Sequence, residues 1–204
     1  ANHESDVRAA AAKAETQILQ RDRHAMCLSS LAIAAATIEQ MCRTFWEMMR
    51  SEVRELEEPK KPRKRGSSAL PHKSGNPILT ERLMGLARMV RACAGAALEN
   101  IATPEWRDIS QSSVEREIFP TATALVHYMA EKAASLVENL VVFPKQMEKH
   151  LMVTSLGVWA SQSVRYALME EGISYDDAYE YMQGAAGEAL QLGQHLPSVL
   201  TWYR

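Results

Sequence analysis

Residues 25–56 read AMCLSSLAIAAATIEQMCRTFWEMMRSEVREL, and this stretch decides the fold. Its apolar side chains recur at alternating spacings of three and four residues, which is the pattern of a heptad seam. The seam positions are Leu28, Leu31, Ala35, Ile38, Cys42, Phe45 and Met49. Such a seam predicts one long helix over residues 25–56 that packs against nearly parallel partner helices. At about 1.5 Å per residue, this helix would be roughly 45–50 Å long.

A helix of that length needs equally long neighbours to bury its seam. Two further apolar stripes predict helices over residues 79–100 and 114–142. Because the 204-residue chain offers only these long partners, we expect further copies of the chain to complete the bundle. Alternation typical of strands is absent from the sequence, so the predicted fold class is all-α, a long-helix bundle.

Shorter helical segments follow Phe143-Pro144, where the apolar stripe of the third helix breaks. They are predicted over residues 144–151, 155–171 and 174–191; Gly172 ends the second, and Ser174 with Asp177 forms a capping box for the third. We therefore predict a helical-bundle domain over residues 1–142 and a smaller, incomplete C-terminal helical domain over residues 143–204.

Composition and charge exclude several classes of protein. The net charge is −2, so no global basic field indicates nucleic acid as a partner. Cys27, Cys42 and Cys93 are odd in number and lack metal-ligand spacing, which favours reduced, apolar thiols in a cytoplasmic protein without a bound metal. No apolar run looks long enough to span a membrane, and no signal-peptide pattern opens the chain, so no membrane partner is predicted.

A basic, Gly/Ser-rich loop is predicted at residues 59–77, PKKPRKRGSSALPHKSGNP. Its prolines and glycines exclude a helix interior, and it holds hydroxyls, an ammonium and an amide close together. A cationic loop between long helices is a candidate lid over an anionic ligand. The alternatives are a solvated linker, or a basic patch for nuclear import or nucleic acid.

A second polar stretch lies at residues 103–116, TPEWRDISQSSVER, with Arg107 and Arg116 towards its two ends. If Ser112 caps the next helix, the free N–H groups of the first turn and Arg116 would form a phosphate cradle. The alternative is an ordinary capping region with surface arginines.

Three stretches carry a resemblance to a known family. Residues 66–77, GSSALPHKSGNP, resemble the signature loop of the fumarase/aspartase superfamily. Residues 16–24, TQILQRDRH, and 107–116, RDISQSSVER, are similar to its adenylosuccinate lyase family. Three separated motifs in the family's order are more specific than one loop, and the resemblance runs from about residue 16 to residue 190.

The resemblance implies a lyase that breaks a C–N bond and releases fumarate in purine biosynthesis. Its substrates would be adenylosuccinate and the related carboxamide ribotide, it would need no metal or organic cofactor, and it would be a homotetramer with active sites shared between subunits. The family's general-acid histidine comes from an N-terminal half that precedes residue 16. Almost none of that half is present, so we expect either a fragment or a reduced paralogue.

The resemblance also assigns the reacting residues. Ser67 matches the base, and Ser68 is the alternative because adjacent hydroxyls cannot be ranked from sequence. Lys73 and Asn76 match residues that hold the substrate carboxylates and stabilise negative charge. Glu81 matches the carboxylate that pairs with the catalytic histidine. Serine acts as a base only in a cationic, dry, closed site, which a basic loop could provide.

The remaining matched positions bind substrate. Gln17 and Arg21 match substrate-contacting positions, and Arg107, Ser112 and Arg116 match a nucleotide-phosphate cradle.

Three features depart from the family pattern. Leu70 stands where the family has methionine, Ser74-Gly75 occupies the place of one residue, and residues 104–110 lack the usual histidine. Such changes can alter loop closure or substrate fit. The alternatives are therefore a superfamily relative that acts on another succinyl or carboxymuconate substrate, or a non-catalytic bundle whose basic loop binds anions.

Overall fold

The computed structural model describes residues 19–59, 76–102 and 108–200. These residues are mostly helical, and the strands among them form one two-stranded ladder, which confirms the all-α prediction. The chain divides into two compact units. The bundle unit lies within residues 1–47 and 58–140, and the C-terminal unit lies within residues 48–57 and 141–204. The domain boundary predicted between residues 142 and 143 stays a prediction.

Three long helices make up the described part of the bundle unit: α1 (Asp22–Met48), α2 (Ile78–Glu99) and α3 (Ser110–Glu138). A contact between Trp46 and Glu81 places the end of α1 beside the start of α2. A contact between Arg21 and Glu115 places the start of α1 beside the start of α3. The helices therefore run up, down and up.

One apolar core joins these three helices. Its fully buried side chains include Leu28, Ala35 and Cys42 from α1, Leu83, Ala87 and Val90 from α2, and Ala122, Met129 and Leu136 from α3. The heptad seam predicted for α1 is thus confirmed from Leu28 to Phe45, whereas Met49 lies beyond the end of the helix. Burial of one large apolar side chain stabilises the fold by roughly 1.5–3 kcal/mol, and the many alanines allow close helix packing.

The opposite face of α1 carries exposed apolar side chains as well. Met26 and Ile33, seven residues apart, are 67% and 68% exposed. By length and composition alone, α1 is long and apolar enough to cross a membrane. The prediction that no apolar segment is long enough to do so was therefore wrong. Its buried face belongs to the three-helix core, and the core helix of a soluble protein meets the same criteria.

The helix predicted over residues 25–56 ends earlier, at Met48. Residues 49–55 turn, with Arg54 at φ +50°, and Leu56–Glu57 forms strand β1. This strand pairs antiparallel with β2 (Val141–Val142), so the helix predicted to end at residue 142 also stops sooner, at Glu138. The buried side chain of Leu56 anchors the strand in the C-terminal unit.

The C-terminal unit continues with short helical segments. They are α4 (Pro144–Lys149), a π-helical turn (His150–Thr154), a 3-10 turn (Val158–Ala160), α5 (Ser161–Glu170), α6 (Tyr175–Leu192) and α7 (Leu196–Leu200). The Ser174 hydroxyl accepts the Asp177 N–H, and Gly172 has φ +94°, so both predicted helix boundaries are confirmed. Helix α7 was not predicted; its buried Leu196 and Val199 pack on α6.

Candidate functional site

Half of the predicted site residues can be placed. Five lie in the described part of the chain: Arg21, Asn76, Glu81, Ser112 and Arg116. The other five lie outside the described residues: Gln17, Ser67, Ser68, Lys73 and Arg107.

Arg21 pairs with Glu115. The Arg21 Nε lies 2.7 Å from the Glu115 Oε1, and the two side chains are only 12% and 19% exposed. Neither atom has a hydrogen-bond partner in the described residues, so the contact is an ion pair without hydrogen-bond alignment. This ion pair places the start of α1 beside the first turns of α3. Ser112 and Arg116 lie on the same turns of α3, three residues before and one residue after Glu115.

More buried polar atoms lie beside this ion pair. Gln111 precedes Glu115 by one helical turn and is 2% exposed, yet its Oε1 finds no hydrogen-bond partner in the described ranges. His24 packs edge-to-face on Phe119, with 5.7 Å between ring centroids, and its buried Nδ1 is equally unpartnered there. Buried polar groups are nearly always hydrogen-bonded, so Gln111 and His24 keep hydrogen-bonding capacity for water, a ligand, another chain or residues outside the described ranges.

Sequence reasoning missed this cluster. Gln111, Glu115 and His24 were not among the predicted site residues. The available signal was the spacing of Gln111, Glu115 and Phe119 at every fourth residue, which places all three on one face of α3.

Ser112 does not cap α3. The predicted phosphate cradle of free helix N–H groups required that cap, so this form of the cradle is not present. The helix begins at Ser110. The Asp108 carboxylate accepts hydrogen bonds from the Ser110 backbone N–H, at 3.1 Å, and from the Ser110 hydroxyl, at 2.5 Å. The N-cap residue itself is Ile109, which forms no side-chain cap, and the negative charge of Asp108 just before it complements the helix dipole. The Ser112 N–H donates to the Ile109 carbonyl, so Ser112 offers its hydroxyl, while Arg116 is exposed and has no ion pair with the described residues.

Asn76 and Glu81 lie where α2 begins. The Asn76 carbonyl accepts the Ile78 N–H at 2.8 Å just before the helix. Glu81 is exposed in the first turn, and its Oε1 accepts a hydrogen bond of 3.1 Å from the Trp46 Nε1. A carboxylate in a first turn is stabilised by the helix dipole.

Glu58 joins the two sides of the basic loop. Its carboxylate accepts the Thr80 N–H and hydroxyl, each at 2.7 Å, and the Leu79 N–H at 3.2 Å. The sequence indicated only that a helix ended near Glu58. The structure shows that this residue satisfies free N–H groups at the start of α2, which follows the loop.

The placed site residues form two separate groups. Arg21, Ser112 and Arg116 lie at the end of the bundle unit where α1 starts, and Asn76 and Glu81 lie where α1 ends. Trp46, which contacts Glu81, is 25 residues beyond Arg21, and a helix of that length spans roughly 35–40 Å. One chain does not bring the two groups together.

The cysteines differ in environment. Cys42 and Cys93 are buried and apolar as predicted, but Cys27 is exposed. Burial, with smaller contributions from the charges of Glu58 and Glu39, raises the pKa of Cys42 to about 11. Within the described ranges, no group of three or more His, Cys, Asp and Glu side chains could hold a metal ion.

Known proteins are similar to this chain in sequence and in fold. Residues 3–92 match a family described as Lyase. The chain is 46% identical over 176 residues to adenylosuccinate lyase from Synechocystis, covering 86% of this chain and 40% of the relative. It is 48% identical over 168 residues to adenylosuccinate lyase from Thermotoga maritima, covering 82% and 38%. The chain thus spans about two fifths of the length of the curated relatives it matches.

Solved structures of related enzymes share the helical fold of this chain. The 3-carboxy-cis,cis-muconate lactonizing enzyme from Pseudomonas putida matches with a TM-score of 0.74 and 26% identity, over 89% of this chain and 40% of that one. A fumarate lyase from Mesorhizobium shares the fold, with a TM-score of 0.73 and 23% identity over 88% and 38% of the two chains. The helical bundle and these matches define a member of the fumarase/aspartase superfamily. Within that superfamily, the sequence belongs with the adenylosuccinate lyases.

Proposed function

We propose that the protein is a C–N lyase that releases fumarate from adenylosuccinate and leaves AMP. The related conversion of SAICAR to AICAR is part of the proposal, because both substrates carry the same succinyl group on nitrogen. Both reactions would place the protein in cytoplasmic purine biosynthesis. Identities of 42–48% to three adenylosuccinate lyases support this reaction class.

The proposed reaction is a β-elimination. Ser67, with Ser68 as the alternative, takes a proton from the carbon beside a carboxylate, and the carbanion then expels nitrogen as the C–N bond breaks. Lys73 and Asn76 hold the carboxylates and stabilise the developing charge. The proton for the leaving nitrogen comes from a histidine in the family region before residue 16, and Glu81 orients that histidine.

The other group of residues would hold the nucleotide. Arg107, Ser112 and Arg116 bind the phosphate in this proposal, and Gln17 and Arg21 contact the rest of the substrate. Arg116 is exposed and has no ion pair with the described residues, which supports the binding of the substrate phosphate by this side chain. The buried polar atoms of Gln111 and His24 support a polar ligand beside it.

The separation of the two groups carries the proposal that subunits share active sites. Residues at opposite ends of α1, roughly 35–40 Å apart, can meet on one substrate only if different copies supply them. The exposed Met26 and Ile33 support further copies packed along α1, as in a homotetramer. No metal or organic cofactor has a role in the proposed reaction.

The reaction is tested by fumarate release from adenylosuccinate, with protein expressed from the whole gene. We expect Ser67→Ala to lower the turnover rate by at least about a thousandfold, because the base is removed. If turnover survives in Ser67→Ala but not in Ser68→Ala, the base is Ser68. A folded, oligomeric protein without turnover would contradict the proposed substrate.

Sharing of sites is tested by complementation. Asn76→Ala and Arg116→Ala proteins, each inactive alone, are mixed in equal amounts, unfolded and refolded together. If each site takes one group from each of two copies, about a quarter of the sites regain both native residues. Each variant refolded alone is the control. No recovered activity in correctly assembled mixtures would mean that one chain supplies both groups.

Two alternatives are distinguished by simple measurements. A carboxymuconate substrate is suggested by one structural neighbour, but the identity to that enzyme is only 26%. Nucleotide binding that is unchanged in Arg116→Ala would contradict the phosphate assignment and favour such a substrate. A non-catalytic polyanion binder would lose affinity steeply with salt and would not need Ser67.

A further inference from the structure

A groove in the C-terminal unit lies between α5 and α6, with a volume of about 380 Å³. The buried Met182 and the half-buried Ala186 contribute apolar surface, Tyr179 lines the groove further, and Ser161, Gln162 and Gln183 contribute polar groups. Small-molecule sites typically have this volume, an apolar lining and a few convergent polar groups. The charged residue in the lining is Arg165.

Tyrosine rings surround the Arg165 guanidinium. Its Cζ lies 5.0 Å from the ring centroids of Tyr166 and Tyr175 and 6.0 Å from that of Tyr179. Cation–π contacts of this kind hold a guanidinium in place and leave its N–H edge for hydrogen bonds. The three rings are about half exposed, so the aromatic cluster lies at the surface of the unit.

The hydrogen-bonding capacity of Arg165 is only partly used. One nitrogen donates a long bond of 3.4 Å to the Tyr175 hydroxyl. Hydrogen bonds from Gln162 and then from Arg165 lower the pKa of Tyr166. The buried Nε of Arg165 has no partner in the described residues. No carboxylate of those residues forms an ion pair with it, although Asp176 and Asp177 begin the facing helix. A partly buried guanidinium without a counter-ion favours an oxyanion, to which it can donate two parallel hydrogen bonds.

We propose that this groove binds a small organic oxyanion, a carboxylate or phosphate on an apolar or aromatic body. Arg165 binds the anionic group, and Tyr179 with Met182 packs against the body of the ligand. Gln183 and Ser161 supply neutral hydrogen-bonding groups at the rim. None of the residues proposed for fumarate release lines this groove, since all of them precede residue 117.

The test is isothermal titration calorimetry on protein expressed from the whole gene, with benzoate, phenyl phosphate and neutral benzamide as probes. We expect an anionic probe to bind at least about tenfold more tightly than benzamide, because charge-assisted hydrogen bonds are lost with the neutral group. Binding of benzoate alone identifies a carboxylate site, and binding of phenyl phosphate alone identifies a phosphate site.

Variants assign the binding to Arg165. Arg165→Gln is expected to weaken anion binding about tenfold or more, and Arg165→Lys to weaken it less, because charge remains but the planar fork is lost. If Arg165→Gln does not fold, Arg165→Lys decides. Arg82→Gln is the matched control, since Arg82 also donates to a tyrosine hydroxyl, that of Tyr128, in the bundle unit. Equal binding of benzamide and benzoate, or binding unchanged by both Arg165 variants, would overturn the proposal.

Discussion

Trp46 donates a hydrogen bond of 3.1 Å from its indole Nε1 to the Glu81 Oε1, and so joins the last turn of α1 to the first turn of α2. Glu81 is the carboxylate that the proposed function pairs with a catalytic histidine. Trp46 was not among the predicted site residues. Because one carboxylate oxygen is held by the indole, the other is presented in a defined direction, and we expect Trp46 to act as a positioning residue for Glu81 in the proposed reaction.

Replacing Trp46 by phenylalanine should slow turnover without weakening substrate binding. Trp46→Phe keeps an aromatic ring but removes the donor, so Glu81 is less well oriented; we expect kcat to fall about 3–10-fold with KM nearly unchanged. Steady-state fumarate release measures both constants. Trp159→Phe, at an exposed tryptophan of the C-terminal unit, is the control. Equal kcat values for both variants would show that the hydrogen bond has no part in catalysis.

The ion pair between Arg21 and Glu115 should contribute measurably to stability. Glu115→Gln leaves the largely buried Arg21 charge without its counter-ion, so the free energy of unfolding should fall by about 1–3 kcal/mol. Urea denaturation measures this change, and a double-mutant cycle with Arg21→Gln isolates the coupling. Glu52→Gln, which breaks the exposed pair with Arg50, should shift the midpoint very little. If both glutamate variants behave alike, the first pair is no stronger than a surface pair.

Glu58 should stabilise the start of α2. It accepts hydrogen bonds from two backbone N–H groups and from the hydroxyl of the buried Thr80, so Glu58→Ala should lower the free energy of unfolding by about 1–2 kcal/mol. Glu131→Ala, at a position 62% exposed on α3, is the matched control and should have a smaller effect. Urea denaturation of the two variants compares them directly, and indistinguishable midpoints would contradict the capping role.

The sequence predicted features that depend on local periodicity and missed those that depend on distant partners. The seam through Leu28, Ala35 and Cys42 follows from heptad spacing, and it is buried as predicted. The end of α1 at Met48 does not follow from spacing, because β1 forms only by pairing with β2, some 85 residues along the chain. The bond between Trp46 and Glu81 likewise depends on the antiparallel packing of two helices. The motif resemblance named candidate site residues, but it did not indicate that the placed ones lie at opposite ends of the bundle unit.

The three thiols should differ in reactivity. Cys27 is exposed, whereas Cys42 and Cys93 are buried and burial raises the pKa of both thiols, that of Cys42 to about 11. Because thiolate is the reactive form, Ellman's reagent at pH 8 should modify one cysteine quickly and all three only after unfolding. Cys27→Ser should remove the fast phase. A fast phase that persists in this variant would show that a buried thiol is accessible.

The raised pKa of Cys42 also predicts how stability changes at high pH. The folded state disfavours the thiolate, so the contribution of the neutral thiol is fully present below its ordinary pKa of 9.0 and is lost as pH rises towards 11. The free energy of unfolding should therefore fall more steeply between pH 9 and 11 in the native protein than in Cys42→Ala. Urea denaturation at several pH values measures both slopes, and Cys27→Ser should keep the native slope because that thiol is exposed. Parallel curves for the native protein and Cys42→Ala would mean that the buried thiol does not ionise differently on unfolding.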